Sequence, residues 1–260
     1  MSKKETIGKT FFVAGILCVV CSFVVALSVI SLRDKQKANI KTDKRMNILA
    51  AAGVYKDGMS DEDVNRVYEE SVEVKYLQLP SGEYLAEEPA SGFDSVKAAK
   101  SQDFGELIPA EKDLADIKRR SKVSEVYLFK NQGQVSRIIL PVRGKGLWST
   151  MMGFAAVDTD GQTISGLTFY AHAETPGLGG EIDNPGWKAK WPGKKIYNDS
   201  GDVELSVIKG AVLPTSPKLN YQVDGLAGAT ITSRGVSNMI HYWFGKEGYQ
   251  NYLAKIGGAK

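Results

Sequence analysis

The strongest pattern in the chain is an uninterrupted apolar run near its start. Residues Phe11 to Leu32 include no charged side chain. A helix over this range rises about 33 Å, which matches the roughly 30 Å hydrocarbon core of a bilayer. A cleaved signal peptide has a shorter apolar stretch of about 7–15 residues. The run therefore predicts an uncleaved transmembrane helix, with residues 33–52 continuing it as far as Gly53.

Beyond the anchor, helical and strand periodicities follow one another. Ser60 before three acidic residues is typical of a helix start and predicts a helix over 61–71. Residues 83–120 are mixed and charged, and we interpret them as helix and loop. Strands are predicted at 72–79, 123–129, 135–141, 150–158, 163–170 and 203–209, and further helices at 234–246 and 249–256. The pattern predicts an α+β fold, in which helices pack on an antiparallel sheet.

Three regions are predicted: a tail and transmembrane helix (1–32), a juxtamembrane helical or mixed region (33–120), and a main domain (121–260). The chain has 260 residues, of which 43% are hydrophobic and 24% charged, as is usual for folded proteins. Its net charge of +3, with no dense basic patch interleaved with aromatic residues, argues against nucleic-acid binding.

Charge around the anchor leaves its orientation open. More basic residues follow the run than precede it, which by the positive-inside rule places the main domain in the cytoplasm. That rule is weak for long translocated domains. The basic residues before the run are Lys3, Lys4 and Lys9, and those after it are Arg33, Lys35, Lys37, Lys41, Lys44 and Arg45.

The two cysteines of the chain, Cys18 and Cys21, both lie in the anchor. A C-x-x-C pair can bind a metal or a cluster, or act as a redox pair. Two ligands from one helix leave a four-ligand site incomplete unless a partner chain contributes. We therefore interpret both as small apolar residues that face lipid or a neighbouring helix.

Two segments carry candidate chemistry. Residues 171–181 (AHAETPGLGGE) follow a predicted strand, and their glycines permit close approach to a flat ligand, although a plain surface loop explains the same composition. Residues 224–233 (DGLAGATITS) end where the last long helix is predicted to begin. Helix starts bind phosphate, and a threonine hydroxyl there can carry a phosphate ester. Capping by Thr232 or Ser233 explains the second segment without any ligand.

The run DGLAGAT resembles the flavinylation motif of FMN-binding domains, in which an aspartate precedes G-A-T or G-A-S. The resemblance places a covalent FMN phosphoester on Thr230 and assigns Asp224, Gly228 and Ala229 to the other motif positions. Where this chain has Ala227, the family often has Ser or Thr, so the chain lacks a hydroxyl that could supply a supporting hydrogen bond or a transferase contact.

Residues 146–157 (GLWSTMMGFAAV) and 172–187 (HAETPGLGGEIDNPGW) resemble further segments of the same family. With the anchor, nearly the whole chain resembles the C-subunit family of the bacterial sodium-translocating NADH:quinone reductases. The G-subunit family of the Rnf complexes shares the motif. The resemblance implies that residues 121–260 form a covalent FMN-binding domain on the periplasmic side of the bacterial inner membrane.

The resemblance further implies an electron relay in a complex that couples NADH oxidation and ubiquinone reduction to sodium export. The expected partners are an NADH-oxidising flavoprotein and iron–sulfur subunit, integral membrane flavin and iron–sulfur subunits, the lipid bilayer, and a flavin transferase that uses FAD. No G-x-G-x-x-G follows a strand, so this chain is not expected to oxidise NADH itself. Two alternatives remain open: an Rnf-type or other membrane flavoprotein, and a non-redox anchored assembly protein.

Around the flavin, Trp148 and Leu178 are candidates to pack on the ring, although core packing also explains a tryptophan at 148. His172, Glu174 and Thr175 are candidates for polar contact with the ring or the ribityl chain. A His–Glu pair lacks a third ligand, so no metal site is predicted. The candidate cofactor-binding residues are Trp148, His172, Glu174, Thr175, Gly177, Leu178, Asp224, Gly228, Ala229, Thr230 and Thr232.

Overall fold

The computed structural model describes residues 7–258, so Lys3 and Lys4 of the charge argument lie outside the described residues. The chain forms two compact units that divide between Asp43 and Lys44. The sequence predicts boundaries after residues 32 and 120. In the structure, the strand at 72–78 belongs to the same sheet as strands beyond residue 121, so residues on both sides of position 120 share one sheet.

A single helix, α1 (Ile7–Ala51), fills the described part of the first unit and ends inside the second. Its most apolar 18-residue stretch has a mean hydropathy of 2.8 and is not buried by other parts of the chain. A helix of this length and composition suits a membrane anchor. Cys18 and Cys21 lie exposed on it without a disulfide, and their interpretation stays a prediction.

The second unit contains a six-stranded antiparallel sheet in the order β2-β1-β5-β6-β7-β8 and two small two-stranded sheets, β3-β4 and β9-β10. The α+β class is confirmed. The strands are β1 (Val72–Gln78), β2 (Glu83–Tyr84), β3 (Gly105–Leu107), β4 (Arg119–Ser121), β5 (Val123–Asn131), β6 (Gln134–Lys145), β7 (Thr150–Asp158), β8 (Ile164–Ala171), β9 (Ser206–Val207) and β10 (Gln222–Val223). The other α-helices among residues 7–258 are α2 (Asp61–Ser71), α3 (Ser95–Ala98), α4 (Pro185–Lys188), α5 (Thr230–Trp243) and α6 (Gln250–Gly257), and two short 3-10 helices span Gly179–Asp183 and Leu219–Tyr221.

Both faces of the main sheet are covered. Because successive strand residues point to opposite faces, Leu128 and Ile138 join a core with α5 and α6, whereas Tyr127 and Ile139 join a second core. The second core includes Val64 of α2 and the last turns of α1. A sheet buried on both sides explains why its strands are largely apolar rather than strictly alternating.

Ion pairs and hydrogen bonds of charged side chains stabilise the packing of the Lys44–Ala51 end of α1 in the second unit. Glu125 of β5 is only 3% exposed. Its carboxylate lies 3.5 Å from the Lys44 ammonium and accepts a hydrogen bond from the Ser95 backbone. The Arg45 guanidinium donates to the Asn65 side chain at 2.6 Å and lies 4.7 Å from the ring centroid of Tyr68. The Lys44–Ala51 segment is thus part of this unit's packed structure.

Three sequence predictions need correction. Residues 83–120 contain three short strands rather than only helix and loop, because distant segments pair: β2 pairs with β1, and β3 pairs with β4, where buried Arg120 lies 2.6 Å from partly exposed Glu106. The strand predicted at 203–209 shrinks to β9, since β10 offers only two residues to pair with it. The last long helix begins at Thr230 rather than at residue 234.

The N-cap of α2 allows the contribution of helix capping to stability to be tested. Ser60 Oγ accepts a hydrogen bond of 3.1 Å from the Asp63 backbone N–H, as the sequence predicted. Ser60→Ala removes this cap and should lower the free energy of unfolding by about 1 kcal/mol, or the melting temperature by roughly 2–4 °C. Ser60→Thr keeps the cap and serves as the control. Equal melting temperatures for Ser60→Ala and wild type would contradict the prediction.

Candidate functional site

The first turn of α5 presents an exposed threonine hydroxyl beside free backbone donors. Thr230 is the first residue of α5 and is exposed. Ala229 precedes it as the cap residue, and no side chain caps the helix. The N–H groups of a first turn have no acceptor within their own helix. An anionic group attached at Thr230 therefore lies where these donors and the helix dipole favour it.

The alternative of simple capping by Thr232 or Ser233 is wrong, because both residues lie inside the helix and are buried. The Ser233 hydroxyl accepts a hydrogen bond of 3.0 Å from the Leu226 backbone N–H. The Thr232 hydroxyl donates to Glu174 at 2.6 Å. Of the three hydroxyl residues at 230–233, only Thr230 is left exposed to a ligand.

Glu174 is a buried carboxylate that joins three segments of the chain. It is 5% exposed. Besides the Thr232 hydroxyl, it accepts hydrogen bonds from the backbone N–H groups of Leu147, Trp148 and Ser149 at 3.1, 3.0 and 3.3 Å. Burial alone raises the pKa of Glu174, but the hydrogen bonds from Thr232 and the three backbone groups outweigh it and hold the pKa below its usual value.

Two glycines make room for this carboxylate. A Cβ atom on Gly146 would lie 2.5 Å from Glu174 Oε1. A Cβ atom on Gly179 would lie 2.5 Å from the Thr232 hydroxyl and 2.9 Å from Glu174 Oε2. The close approach expected of the glycine-rich loop is therefore made here to a protein carboxylate, with Gly177 supplying a turn at φ +76°.

His172 and Asp224 are likewise held by protein partners. The His172 ring lies with Nε2 at 2.6 Å from Asp183, and its Nδ1 accepts from the Glu174 backbone N–H at 3.2 Å. Asp224 accepts from the Val212 backbone N–H at 2.8 Å and pairs with Lys190. Burial raises the pKa of Asp224, but the Lys190 contact and the Val212 hydrogen bond lower it overall. Both side chains thus shape the loops rather than offering a free polar atom.

Large apolar side chains remain exposed around this site, and two of them are the predicted ring-packing residues. Trp148 is 66% exposed, so the alternative that it fills the core is wrong. Its indole N–H donates to the Thr175 hydroxyl at 3.1 Å, which fixes the ring. Leu178 is 44% exposed, and its Cδ2 would lie 2.9 Å from a Cβ atom on Gly228. Gly228 adopts φ +69°, where a side chain would be strained as well as crowded.

Thr230 also lines a cavity of about 280 Å³. Sequence reasoning missed its two charged residues, Lys209 and Arg234. Arg234 carried a usable signal, since residues four apart share a helix face, whereas nothing in the sequence marked Lys209. The cavity is lined by Val207, Ile208, Lys209, Gly210, Gly225, Leu226, Thr230, Ser233, Arg234 and Ser237.

Comparison with known families and structures identifies the domain to which these residues belong. Residues 146–245 match the family model of the FMN-binding domain. The crystal structure of Shewanella oneidensis NqrC aligns with a TM-score of 0.76 at 31% identity, covering 85% of this chain and all of that one. The C subunit of the Na(+)-translocating NADH-quinone reductase from Parabacteroides distasonis aligns with a TM-score of 0.64 at 33% identity, covering 85% of this chain and 96% of that one.

Sequence relatives match this chain over nearly its full length. The C subunit of the Na(+)-translocating NADH-quinone reductase of Pseudomonas aeruginosa is 44% identical over 98% of both chains. That of Yersinia pestis is 43% identical over 97% of this chain and 94% of the relative. The chain, with its FMN-binding domain, therefore belongs to the C-subunit family of the Na⁺-translocating NADH-quinone reductases.

Proposed function

We propose that this chain carries FMN through a phosphoester on Thr230 and relays electrons between redox centres of a Na⁺-translocating NADH-quinone reductase. The observation that carries the proposal is the exposed threonine at the start of α5, which lines a cavity that also contains Lys209 and Arg234. Bound FMN supplies the redox chemistry by accepting and donating electrons, and the chain attaches, orients and tunes it.

The residues present fit this cofactor. Within residues 7–258 the Thr230 side chain makes no hydrogen bond, and the free N–H groups after Ala229 suit a phosphate. Trp148 and Leu178 offer an aromatic and an aliphatic surface of the kind that packs against a flat ring. Gly228 lets Leu178 lie against the attachment segment.

Glu174, His172 and Asp224 support the site indirectly. Their hydrogen bonds hold the 146–149 turn, the 172–178 loop and the segment before α5 in place. Thr175 holds the Trp148 ring from the side. We therefore propose positioning roles for these side chains, with Thr230, Trp148 and Leu178 as the groups that touch the flavin.

The cellular setting is part of the same proposal. The long apolar segment of α1 suits a single membrane anchor, and we place the FMN domain on the periplasmic side of the bacterial inner membrane, because a large translocated domain can override the local charge bias. The proposed partners are the other flavin and iron–sulfur subunits of the complex, with a separate flavin transferase for maturation. Electron flow through the complex to ubiquinone is proposed to drive sodium export.

The proposal is tested by denaturing the protein and looking for flavin fluorescence that stays with the polypeptide on a gel. Protein made in cells that contain the flavin transferase should give a fluorescent band, whereas protein from cells without it should be dark. A dark band in both cases would favour a non-redox assembly protein. The identity of the subunits that co-purify with the native chain separates a quinone reductase from an Rnf-type complex.

A further inference from the structure

The basic cavity beside Thr230 has a composition that the attachment chemistry alone does not require. Its ten lining residues include two cations, Lys209 and Arg234, and no carboxylate. The hydroxyls of Ser233 and Ser237 accept hydrogen bonds of 3.0 and 2.9 Å from the backbone N–H groups of Leu226 and Val207, so both already have protein partners. Two like charges that line one cavity repel each other unless an anion joins them.

Two lysines of the loop after α4 have partners elsewhere in the protein. Lys190 pairs with Asp224, and the Lys194 ammonium donates to the Leu219 carbonyl at 2.7 Å. In contrast, the side chains of Lys209 and Arg234 have no hydrogen bond or ion pair within residues 7–258. Two unpaired cations thus line the cavity that contains Thr230.

The backbone brings these two cations to the threonine from different elements. Arg234 is four residues after Thr230 in α5, so the two share a helix face. Lys209 follows β9, where the Gly225 backbone N–H donates to the Gly210 carbonyl at 2.8 Å. A Cβ atom on Gly225 would lie 2.3 Å from the Ile208 carbonyl, so a larger residue cannot replace it without moving this wall.

We infer that this cavity seats the phosphate of a flavin nucleotide, with Arg234 and Lys209 neutralising its charge. The inference rests on the proposed attachment of flavin at Thr230 and adds the residues that recognise the nucleotide's anionic end. The apolar end of the same ligand is left to Trp148 and Leu178, which do not line the cavity. Guanidinium and ammonium groups bind phosphate through charge-assisted hydrogen bonds.

The test compares two flavins that differ only in the phosphate. The full chain, purified in detergent from cells that lack the flavin transferase, is dialysed to equilibrium against FMN or riboflavin. We expect FMN to bind roughly tenfold more tightly or better, as for one or more charge-assisted contacts. Inorganic phosphate should compete with FMN and leave riboflavin binding unchanged.

Matched variants assign the preference to the two cations. K209Q/R234Q should bring the ratio of FMN to riboflavin affinity close to one without changing riboflavin binding, whereas K209R/R234K should keep the preference. K100Q/K122Q removes two exposed lysines that do not line the cavity and should behave as wild type. All of these are surface changes that have small effects on stability.

Two results would overturn the inference: a wild-type chain with no preference for FMN, including one that binds neither flavin, or a K209Q/R234Q variant that keeps the wild-type ratio. Because the binding assay uses unflavinylated protein, it is independent of covalent attachment. If attachment occurs at another residue while the preference depends on Lys209 and Arg234, the proposed linkage fails and the phosphate seat stands.

Discussion

Thr230→Val is expected to eliminate covalent flavin from the chain. Valine keeps the branched shape of threonine but has no hydroxyl to form the phosphoester. Thr232 and Ser233 cannot substitute, because both are buried and their hydroxyls are hydrogen-bonded within the protein. Chain made in cells that contain the transferase should therefore lose its flavin fluorescence on a denaturing gel to the background level.

The control for this result is Thr175→Val, which removes another exposed hydroxyl of the same site. Thr175 accepts a hydrogen bond from Trp148 but lies outside the motif, so its variant should stay fluorescent. A Thr230→Val band as bright as wild type would refute the linkage, and peptide mapping of the fluorescent fragment would then locate the attached residue.

Among substitutions of the site residues, Glu174→Ala is expected to lower the free energy of unfolding of the protein the most. It leaves three backbone N–H groups and the Thr232 hydroxyl without their acceptor. Each unpaired buried donor costs about 1–3 kcal/mol, and the costs are not additive. We expect a loss of roughly 3–5 kcal/mol in the free energy of unfolding, measured by thermal or denaturant unfolding of the full chain in detergent.

Glu181→Gln is the matched control, since it changes another carboxylate of the same loop that is less buried. Glu174→Gln should fall between the two, because an amide can accept on one side only. A Glu174→Ala variant as stable as Glu181→Gln would show that the carboxylate does not hold these segments together.

The same carboxylate gives the stability a defined dependence on pH. Its pKa is lower in the folded protein than in the unfolded chain. Its stabilising effect is therefore complete above the unfolded-state pKa and is lost as the pH falls through the folded-state pKa. Stability should decline less steeply on the acid side in Glu174→Gln than in wild type. Equal acid dependence in the two proteins would contradict this assignment.

The sequence predicted those parts of the structure that local rules determine. The Ser60 cap, the main strands and the anchor follow from capping, periodicity and length. The sequence-based prediction was wrong where residues distant in the sequence determine the structure. β4 pairs with β3, where Arg120 lies beside Glu106, and β9 pairs with the two residues of β10. The apolar pattern around 203–209 contained no information about the partner strand.

The candidate site divides in the same way. The motif and helix-start rules directed attention to Thr230, and the structure leaves its hydroxyl exposed at the start of α5. They could not show that the side chains of Glu174 and His172 hydrogen-bond to other groups of the protein, because those groups lie far away in the sequence. Nor could they bring Lys209 to the wall of a cavity formed with α5.

The end of α1 has a practical consequence for anyone who wishes to study the flavin domain without a membrane. Ile48, Leu49, Ala51 and Ala52 are at most 1% exposed, and Lys44 lies against buried Glu125. A soluble form that starts after residue 52 would expose an apolar face of the sheet and remove the ion-pair partner of the buried Glu125 carboxylate. A form that starts between residues 33 and 44 lacks the apolar run but keeps the whole second unit. Its solubility and yield should therefore be much higher than those of a form that starts after residue 52.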